Sequence, residues 1–424
     1  METKINLKSK FTIDSFFTII AIIIIGISGL WINVLVQDSF YKEGLGLFSY
    51  TLSIFFITNS IGTLGLNRAM VFFSSYYADN KSYRNQLITN SLILVSIWST
   101  ILVFGLNILL DNFFCKSLNS EQCSYISVIS FSIPFYCLNN VAIAVLNGVR
   151  AMKIYSFIRS SRWALLILCM TFISTRNSLG LIFYSFVITE MGLCCIMLFI
   201  FIKNKYISGF YNKKSMLEIL RYSKYVYPSQ ILVSFNEHID IIIIENFVSA
   251  GSLGVYSFSS KVAKSLSLIG GAIQTNVNPI ISRYFKKSEF EKLKIFCKKL
   301  KGFSLIFFSI LIILSSIFYY FLIGAYIKDD SYYATFNYYI FQCVSVGLYS
   351  AFIWSGGMLI MTGKIKENIW RVIVKLILNI VVMLICIIVF PAESGMYIGF
   401  CIVMISHLYI DKYFISKHLG INIF

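Results

Sequence analysis

Residues 239–266 read IDIIIIENFVSAGSLGVYSFSSKVAKSL, and within them GSLGVYSF (251–258) repeats, 208 positions on, the EGLGLFSY of residues 43–50. At this fixed offset Leu45 falls on Leu253, Gly46 on Gly254 and Ser49 on Ser257, with aromatic on aromatic at Phe48/Tyr256 and Tyr50/Phe258. The register continues through Gly62/Gly270, Ser74/Ser282 and Tyr76/Tyr284. Two apolar stretches can share Leu, Ser and Gly through composition alone, so the weight of the echo depends on what surrounds each copy.

The surroundings are those of a membrane protein. A soluble domain is about 45–50% apolar and about a quarter charged, whereas this chain is 58% hydrophobic and 13% charged, with a mean hydropathy of +0.77. Runs of the length that crosses a hydrocarbon core of about 30 Å recur twelve times, from 14–36 and 46–67 through 124–147, 225–247, 254–279 and 336–361 to 395–415. They are continuous rather than alternating, so helices are expected, since lipid requires every backbone polar group to be paired within its own segment. The first run, Ser15 to Val36, is too long for a signal-peptide core and is expected to be a retained span. Most of the ten cysteines lie in apolar runs and pack as small hydrophobes. Only Cys115 and Cys123 share a polar loop, where an oxidising compartment permits a bridge without requiring one.

The net charge of +17 has a topological reading. Connections taken alternately carry 29 Lys and Arg on one side and 4 on the other (Lys42, Lys116, Arg176 and Lys328). By the positive-inside rule both termini are expected to be cytoplasmic, and nucleic acid is not expected as a partner. The basic connections 206–225 and 282–302 are amphipathic; Leu293, Phe296 and Leu300 oppose several lysines, as suits either a helix on an anionic leaflet or a solvated loop helix. The expected plan is all-α, twelve transmembrane helices in two six-helix lobes: 1–203, a cytoplasmic linker 204–224, and 225–424. The two echoes then occupy equivalent places, each leading into an even-numbered span, the second and the eighth. Parallel repeats of this kind are a plan of secondary transporters, with the substrate path between the halves. Gly46 and Gly254 are expected to open a helix after a tight turn.

A path needs polarity on one helical face. In the eighth span Ser257, Lys261, Lys264, Ser267, Gly271, Gln274 and Asn278 recur at three- and four-residue steps. At about 1.5 Å per residue Lys261 and Lys264 lie about 10 and 15 Å below the outer end of that helix. A charge so deep costs about 2.5–3.5 kcal/mol on insertion scales and is functional by default. The seventh span supplies Asn236, Glu237, His238 and Asp240. Glu237 and Asp240 suit either counter-ions for Lys264 or sites coupling transport to H+ or Na+, and both readings stand. Glu190 in the sixth span is a further acid whose partner the sequence does not name. Arg371 and Lys375 in the eleventh suit ordinary anchors or the inner part of an anionic path. The three histidines are far apart and no CxxC or HxxxH exists, so neither a metal nor another bound cofactor is expected. No nucleophile with its base and no phosphate-cradling loop is present, so an enzyme is not expected.

Twelve spans, the repeated opening, Asp240 in HIDIIII, LGVYSF from 253 and NPIISRYFKK from 278 together resemble the polysaccharide flippases of the multidrug/oligosaccharidyl-lipid/polysaccharide (MOP) exporter superfamily. Within it the chain looks most like the O-antigen (Wzx-type) flippases of lipopolysaccharide biosynthesis. The resemblance implies a MATE-like fold in a bacterial cytoplasmic (inner) membrane. It implies alternating access that moves an undecaprenyl-diphosphate-linked oligosaccharide to the periplasmic leaflet, beside a polysaccharide polymerase and chain-length proteins. Lys261 and Lys264 would then hold the diphosphate, and Ser257, Ser267, Gln274, Asn278 and Asn236 would line the lumen. The chain departs from lipid II flippases, which usually have fourteen spans and basic residues in the first two. It also lacks the first-span proline frequent in multidrug exporters. Two rivals remain: a drug/cation antiporter of the same superfamily, and an integral-membrane O-antigen polymerase. The polymerase is disfavoured because the outer connections are short.

Overall fold

The computed structural model describes residues 7–112, 115, 119–174, 178–207 and 212–420, without the side chains of 7–16, 18, 19, 174, 279 and 286. Among them the regular structure is entirely helical. Lys116, Arg176, the chain ends 1–6 and 421–424, and part of the basic connection at 208–211 lie outside the described residues. In chain order the α-helices are α1 Leu7–Gly62, α2 Leu66–Tyr76, α3 Lys81–Asn112, α4 Ser120–Ser130, α5 Ile133–Gly148, α6 Met152–Ser174, α7 Leu179–Lys203 and α8 Lys213–Glu245. They continue with α9 Ala250–Lys286, α10 Phe290–Leu322, α11 Asp330–Ala334, α12 Phe336–Phe352, α13 Met358–Met361, α14 Ile365–Val389 and α15 Ala392–Leu419. By length and composition eight helices among the described residues can cross a membrane, or nine if the bent pair α4 and α5 is one span.

The hydrophobic pattern is turned outward. On α3 Ile97, Ile101, Phe104 and Ile108 form an exposed stripe, and on α10 Phe303, Ile306, Ile310, Ile313 and Ile317 form another. Stripes this long exceed what a soluble surface carries and mark lipid contact. Meanwhile Arg162, Glu190, Asp240, Arg371, Lys375, His407 and Asp411 are buried.

Several spans expected to be continuous are broken. Residues 124–147 fall on α4 and α5, bent by 42° where Pro134 stands in the first turn of α5; proline fits there because it has no N–H to leave unpaired. Residues 336–361 divide into α12, a 3-10 turn Ile353–Gly357 and α13. Conversely, the polar residues between the first two expected spans are not a loop. α1 runs through them with a single break at Tyr41 (φ 56°, ψ −172°). The basic segment 282–302 is likewise the end of α9 and the first turns of α10, with Leu293 buried and Phe296 against the Tyr284 ring at 6.1 Å.

The chain forms two compact units, Met1–Leu35 with Thr51–Ser234, and Val36–Tyr50 with Phe235–Phe424. In the first, α5 packs against α2, α3 and α7, and α6 packs against α7. Cys115 and Cys123 form a disulfide there. The Tyr77 and Tyr83 hydroxyls both donate to the Glu218 carboxylate, at 2.7 and 2.5 Å. That hydrogen bond is the main reason the Tyr77 phenol is pushed up to about 12. In the second unit α12 packs against α9, α10 and α15, and α14 packs against α15.

Candidate functional site

The site in the second unit is built on the repeat itself. Segments 42–50 and 250–258 cross so closely that a Cβ on Gly46 would meet the Ala250 carbonyl carbon at 2.8 Å and the Gly254 nitrogen at 3.2 Å. A Cβ on Gly254 would meet the Lys42 carbonyl carbon at 2.9 Å and the Gly46 nitrogen at 3.1 Å. Both glycines lie within helices, so the expectation that they open a helix after a turn is corrected: they are required by backbone approach. One step further along, Ser49 Oγ donates to Ser257 Oγ at 2.9 Å. The aligned serines of the echo therefore touch.

This crossing positions Lys261. Its Nζ donates to Ser49 Oγ at 2.9 Å and stands 5.8 Å from the centre of the Phe48 ring. One turn on, Lys264 Nζ lies 3.0 Å from Asp240 Oδ2 and donates to the Glu237 carbonyl at 3.2 Å. The Tyr256 hydroxyl donates to the same Asp240 oxygen at 3.0 Å. Of the two expected acids, Asp240 meets Lys264 with its carboxylate, and Glu237 meets it with its backbone carbonyl. Asp240 Oδ1 is buried with no hydrogen-bond partner among the described residues, a costly arrangement for a carboxylate oxygen. The Lys264 side chain keeps 28% of its surface, whereas Asp240 keeps 5%.

The remaining stripe of α9 is partly engaged by protein and partly open: a Cβ on Gly271 would meet nothing within 4 Å. Ser257 is fully buried, and Ser267 Oγ lies 3.1 Å from Ser350 Oγ. Gln274 and Arg371 both approach Gly356, where an added Cβ would stand 3.4 Å from each. Asn278 presses its amide on Gly357. Asn236 accepts from Asn379 through both its backbone and side-chain oxygens, at 3.1 and 3.2 Å.

Arg371 and Lys375 share one carboxylate, Asp411 Oδ1, at 3.1 and 2.6 Å. The Arg371 guanidinium also donates to the Gly356 carbonyl and to Asn368 Oδ1, and Lys375 stands 5.2 Å from the centre of the Tyr349 ring. The first unit has a parallel construction. Glu190 is ion-paired with Arg162 at 3.0 Å and accepts from Asn139 at 2.9 Å, while Arg162 donates to Asn140 and lies 4.4 Å from the Tyr136 ring centre. Among the described residues no group of three or more His, Cys, Asp or Glu is arranged to hold a metal.

The family model described as "Polysaccharide biosynthesis protein" matches residues 12–285, more than half the chain. The chain belongs to the polysaccharide biosynthesis protein family. No curated protein sequence matches this family member, but solved structures do. An inward-facing multidrug resistance MATE family transporter of the MOP superfamily aligns with a TM-score of 0.74 at 14% identity, covering 92% of this chain and 94% of that one. A Vibrio cholerae MATE transporter gives 0.71 at 13% identity, covering 97% of each chain. A MOP superfamily transporter from Pyrococcus furiosus, described as having a binding pocket of reversed polarity, gives 0.68 at 14% identity, covering 95% of this chain and 94% of that one. The fold of this polysaccharide biosynthesis protein is that of the MATE transporters.

Sequence reasoning missed Arg162, Asp411, Tyr256 and Asn379. Arg162 and Arg371 were counted as topology signals at helix ends, yet both are buried. The available signal was Glu190: an acid inside an apolar run needs a cation, and Arg162 is the basic residue closest to the apolar interior of the preceding span. In the second unit Lys264 is ion-paired with Asp240, and Arg371 and Lys375 with Asp411, while Lys261 stands one turn from Lys264. Such a gathering of cations suits an anionic ligand.

Proposed function

We propose that this protein is a MOP-superfamily flippase that moves an undecaprenyl-diphosphate-linked oligosaccharide, such as an O-antigen repeat unit, from the cytoplasmic to the periplasmic leaflet of a bacterial inner membrane by alternating access. The reading includes twelve transmembrane helices in two lobes, 1–203 and 225–424, joined by a cytoplasmic linker, with both termini cytoplasmic. The observation that carries it is the pair Lys261 and Lys264, one turn apart on the polar face of α9, with Asp240 ion-paired to Lys264. Two ammonium groups in a low-dielectric setting attract a diphosphate strongly, and membership of a polysaccharide biosynthesis family supports a lipid-linked glycan as its bearer. The hydroxyl and amide groups of Ser267, Gln274, Asn278 and Asn236 are suited to sugars, while the prenyl tail stays in the bilayer. Asp240, with Glu237, is the coupling candidate for H+ or Na+. One charge moved through about 100 mV supplies about 2.3 kcal/mol.

Reconstitution in proteoliposomes with a fluorescent lipid-linked glycan tests the assignment. Lys261→Ala together with Lys264→Ala should abolish translocation; full activity in that double variant removes the diphosphate site. A second reading, a drug/cation antiporter, draws support from the multidrug transporters that share the fold. A deletion strain separates the two, because a flippase loss accumulates undecaprenyl-linked repeat units and an antiporter loss lowers drug resistance.

A further inference from the structure

The second unit contains a cleft that neither lysine site uses. It has a volume of about 570 Å³ and is formed where the break in α1 (Lys42, Glu43), the start of α9 (Ser252), the Ser331–Tyr338 segment and the start of α15 (Glu393, Tyr397) converge. That volume lies within the range of small-molecule sites, about 300–1,000 Å³. Its chemistry is of three kinds. The half-buried Tyr338 ring is stacked on the buried Tyr397 ring, with centroids 4.9 Å apart and planes 11° from parallel, and gives the wall a flat apolar face. Hydroxyls of Ser252, Ser331 and Thr335 stand around it. The Tyr397 hydroxyl is buried and among the described residues makes no hydrogen bond of proper geometry, although Thr335 and Ser259 are close.

Charge decides the ligand class. Lys42 is already engaged, donating to Ser331 Oγ at 2.7 Å and lying 4.0 Å from Asp329 Oδ2. Against that one lysine stand three carboxylates: Glu43 and Glu393, which line the cleft, and Asp329 beside it. Glu393 accepts from Ser252 at 2.7 Å and keeps its second oxygen for another donor. A diphosphate or a uronic acid would be repelled here. A neutral pyranose fits, because it offers a C–H face to the tyrosines and a ring of hydroxyls to carboxylate acceptors, whose charge-assisted hydrogen bonds are the strong kind. We propose that this cleft is a binding site for a neutral saccharide. It rests on the flippase reading, in whose topology these segments face the periplasm, where the site would receive the sugar end of the translocated glycan.

Saturation-transfer NMR on the full chain in nanodiscs tests this with free glucose and N-acetylglucosamine as neutral probes, and glucuronic acid as the anionic one. The neutral sugars should receive saturation. Glu393→Gln should weaken that binding about tenfold, the loss of one charge-assisted hydrogen bond. Tyr338→Ala should weaken it too, Glu393→Gln should leave the thermal midpoint unchanged, and Lys264→Ala should leave sugar binding intact. Glucuronic acid should gain signal only when Glu43→Gln and Glu393→Gln are combined. No saturation of the neutral sugars, an undiminished signal in Glu393→Gln and Tyr338→Ala, or equal binding of glucuronic acid by the wild type overturns the site. The readout needs no translocation. A chain that binds sugar here and moves no lipid-linked glycan refutes the flippase reading alone, and one that moves glycan without any sugar signal refutes only the cleft.

Discussion

Replacing Gly254 by Ala places a methyl carbon 2.9 Å from the Lys42 carbonyl carbon and closer still to its oxygen. Ordinary carbon contacts begin near 3.5 Å, and the obstacle is backbone, so no side chain can rotate away. The two helices must separate by several tenths of an ångström at least, which loosens the Ser49–Ser257 and Lys261–Ser49 hydrogen bonds at 2.9 Å. Overpacking of this kind costs about 1–3 kcal/mol. With about 2 °C lost per kcal/mol in a chain of this size, the unfolding midpoint in nanodiscs should fall by about 2–6 °C. Gly46→Ala should behave alike, since its clash with Ala250 mirrors the first. The double variant should cost less than the sum of the two, because helices already parted by one methyl have room for the other. Gly192→Ala is the control: nothing lies within 4 Å of a Cβ there, and alanine is the better helix former. The reasoning fails if Gly254→Ala is as stable as Gly192→Ala, or if the two crossing variants are strictly additive.

Other consequences follow from the ion pairs and cysteines. Arg162→Met alone strands a buried carboxylate and should destabilise by about 3–5 kcal/mol, whereas adding Glu190→Leu should restore most of the loss; a double-mutant cycle on thermal midpoints that shows no coupling would contradict the pair. Asp411→Asn should cost a similar amount, about 3–5 kcal/mol, because it leaves Arg371 and Lys375 without their shared counter-charge. Lys375→Met in that background should be stabilising, and a further loss there would speak against charge as the cause. Alkylation of the denatured protein without reductant should modify eight of the ten cysteines, and all ten after reduction; ten labels before reduction would exclude the Cys115–Cys123 bridge. Finally, a membrane-impermeant thiol reagent applied to whole cells should label Ser252→Cys and spare Lys298→Cys, and the reverse pattern would invert the proposed topology.

The class of fold was legible because lipid imposes it: long apolar runs leave the backbone one solution, and the lopsided distribution of Lys and Arg is a direct trace of insertion. The polar spacing on α9 was legible for the same geometric reason, since a helix brings every third and fourth residue to one side. Where helices stop was less visible. Residues 37–43 look like a loop because they are polar, yet the polarity serves distant partners: Gln37 accepts from Tyr332, and Lys42 donates to Ser331, 295 and 289 residues away. No local pattern encodes such a partner. The same limit applies to charge. Arg162 and Glu190 are 28 residues apart on different helices, and Arg371 and Asp411 are 40 apart, so counting basic residues by connection assigned both arginines to the membrane surface. Pro134 was an available sign for the break before α5 and went unused.

The crossing at Gly46 and Gly254 has one more implication. Position 46 meets position 250 while position 254 meets position 42, and Ser49 meets its own counterpart Ser257. This is the geometry of an isologous interface, in which the same patch serves both partners and every contact is written twice. A surface of that kind is complete in one half-length sequence, so two separate copies of an ancestral half-chain could have formed it before they were joined. Between the halves a scatter of positions is still matched, among them those of the crossing. There the glycines and serines stayed matched, while at Ser53/Lys261 and Phe56/Lys264, one and two turns away, only one copy carries charge. The symmetry element is therefore a fixed reference against which the asymmetry of the two halves can be measured.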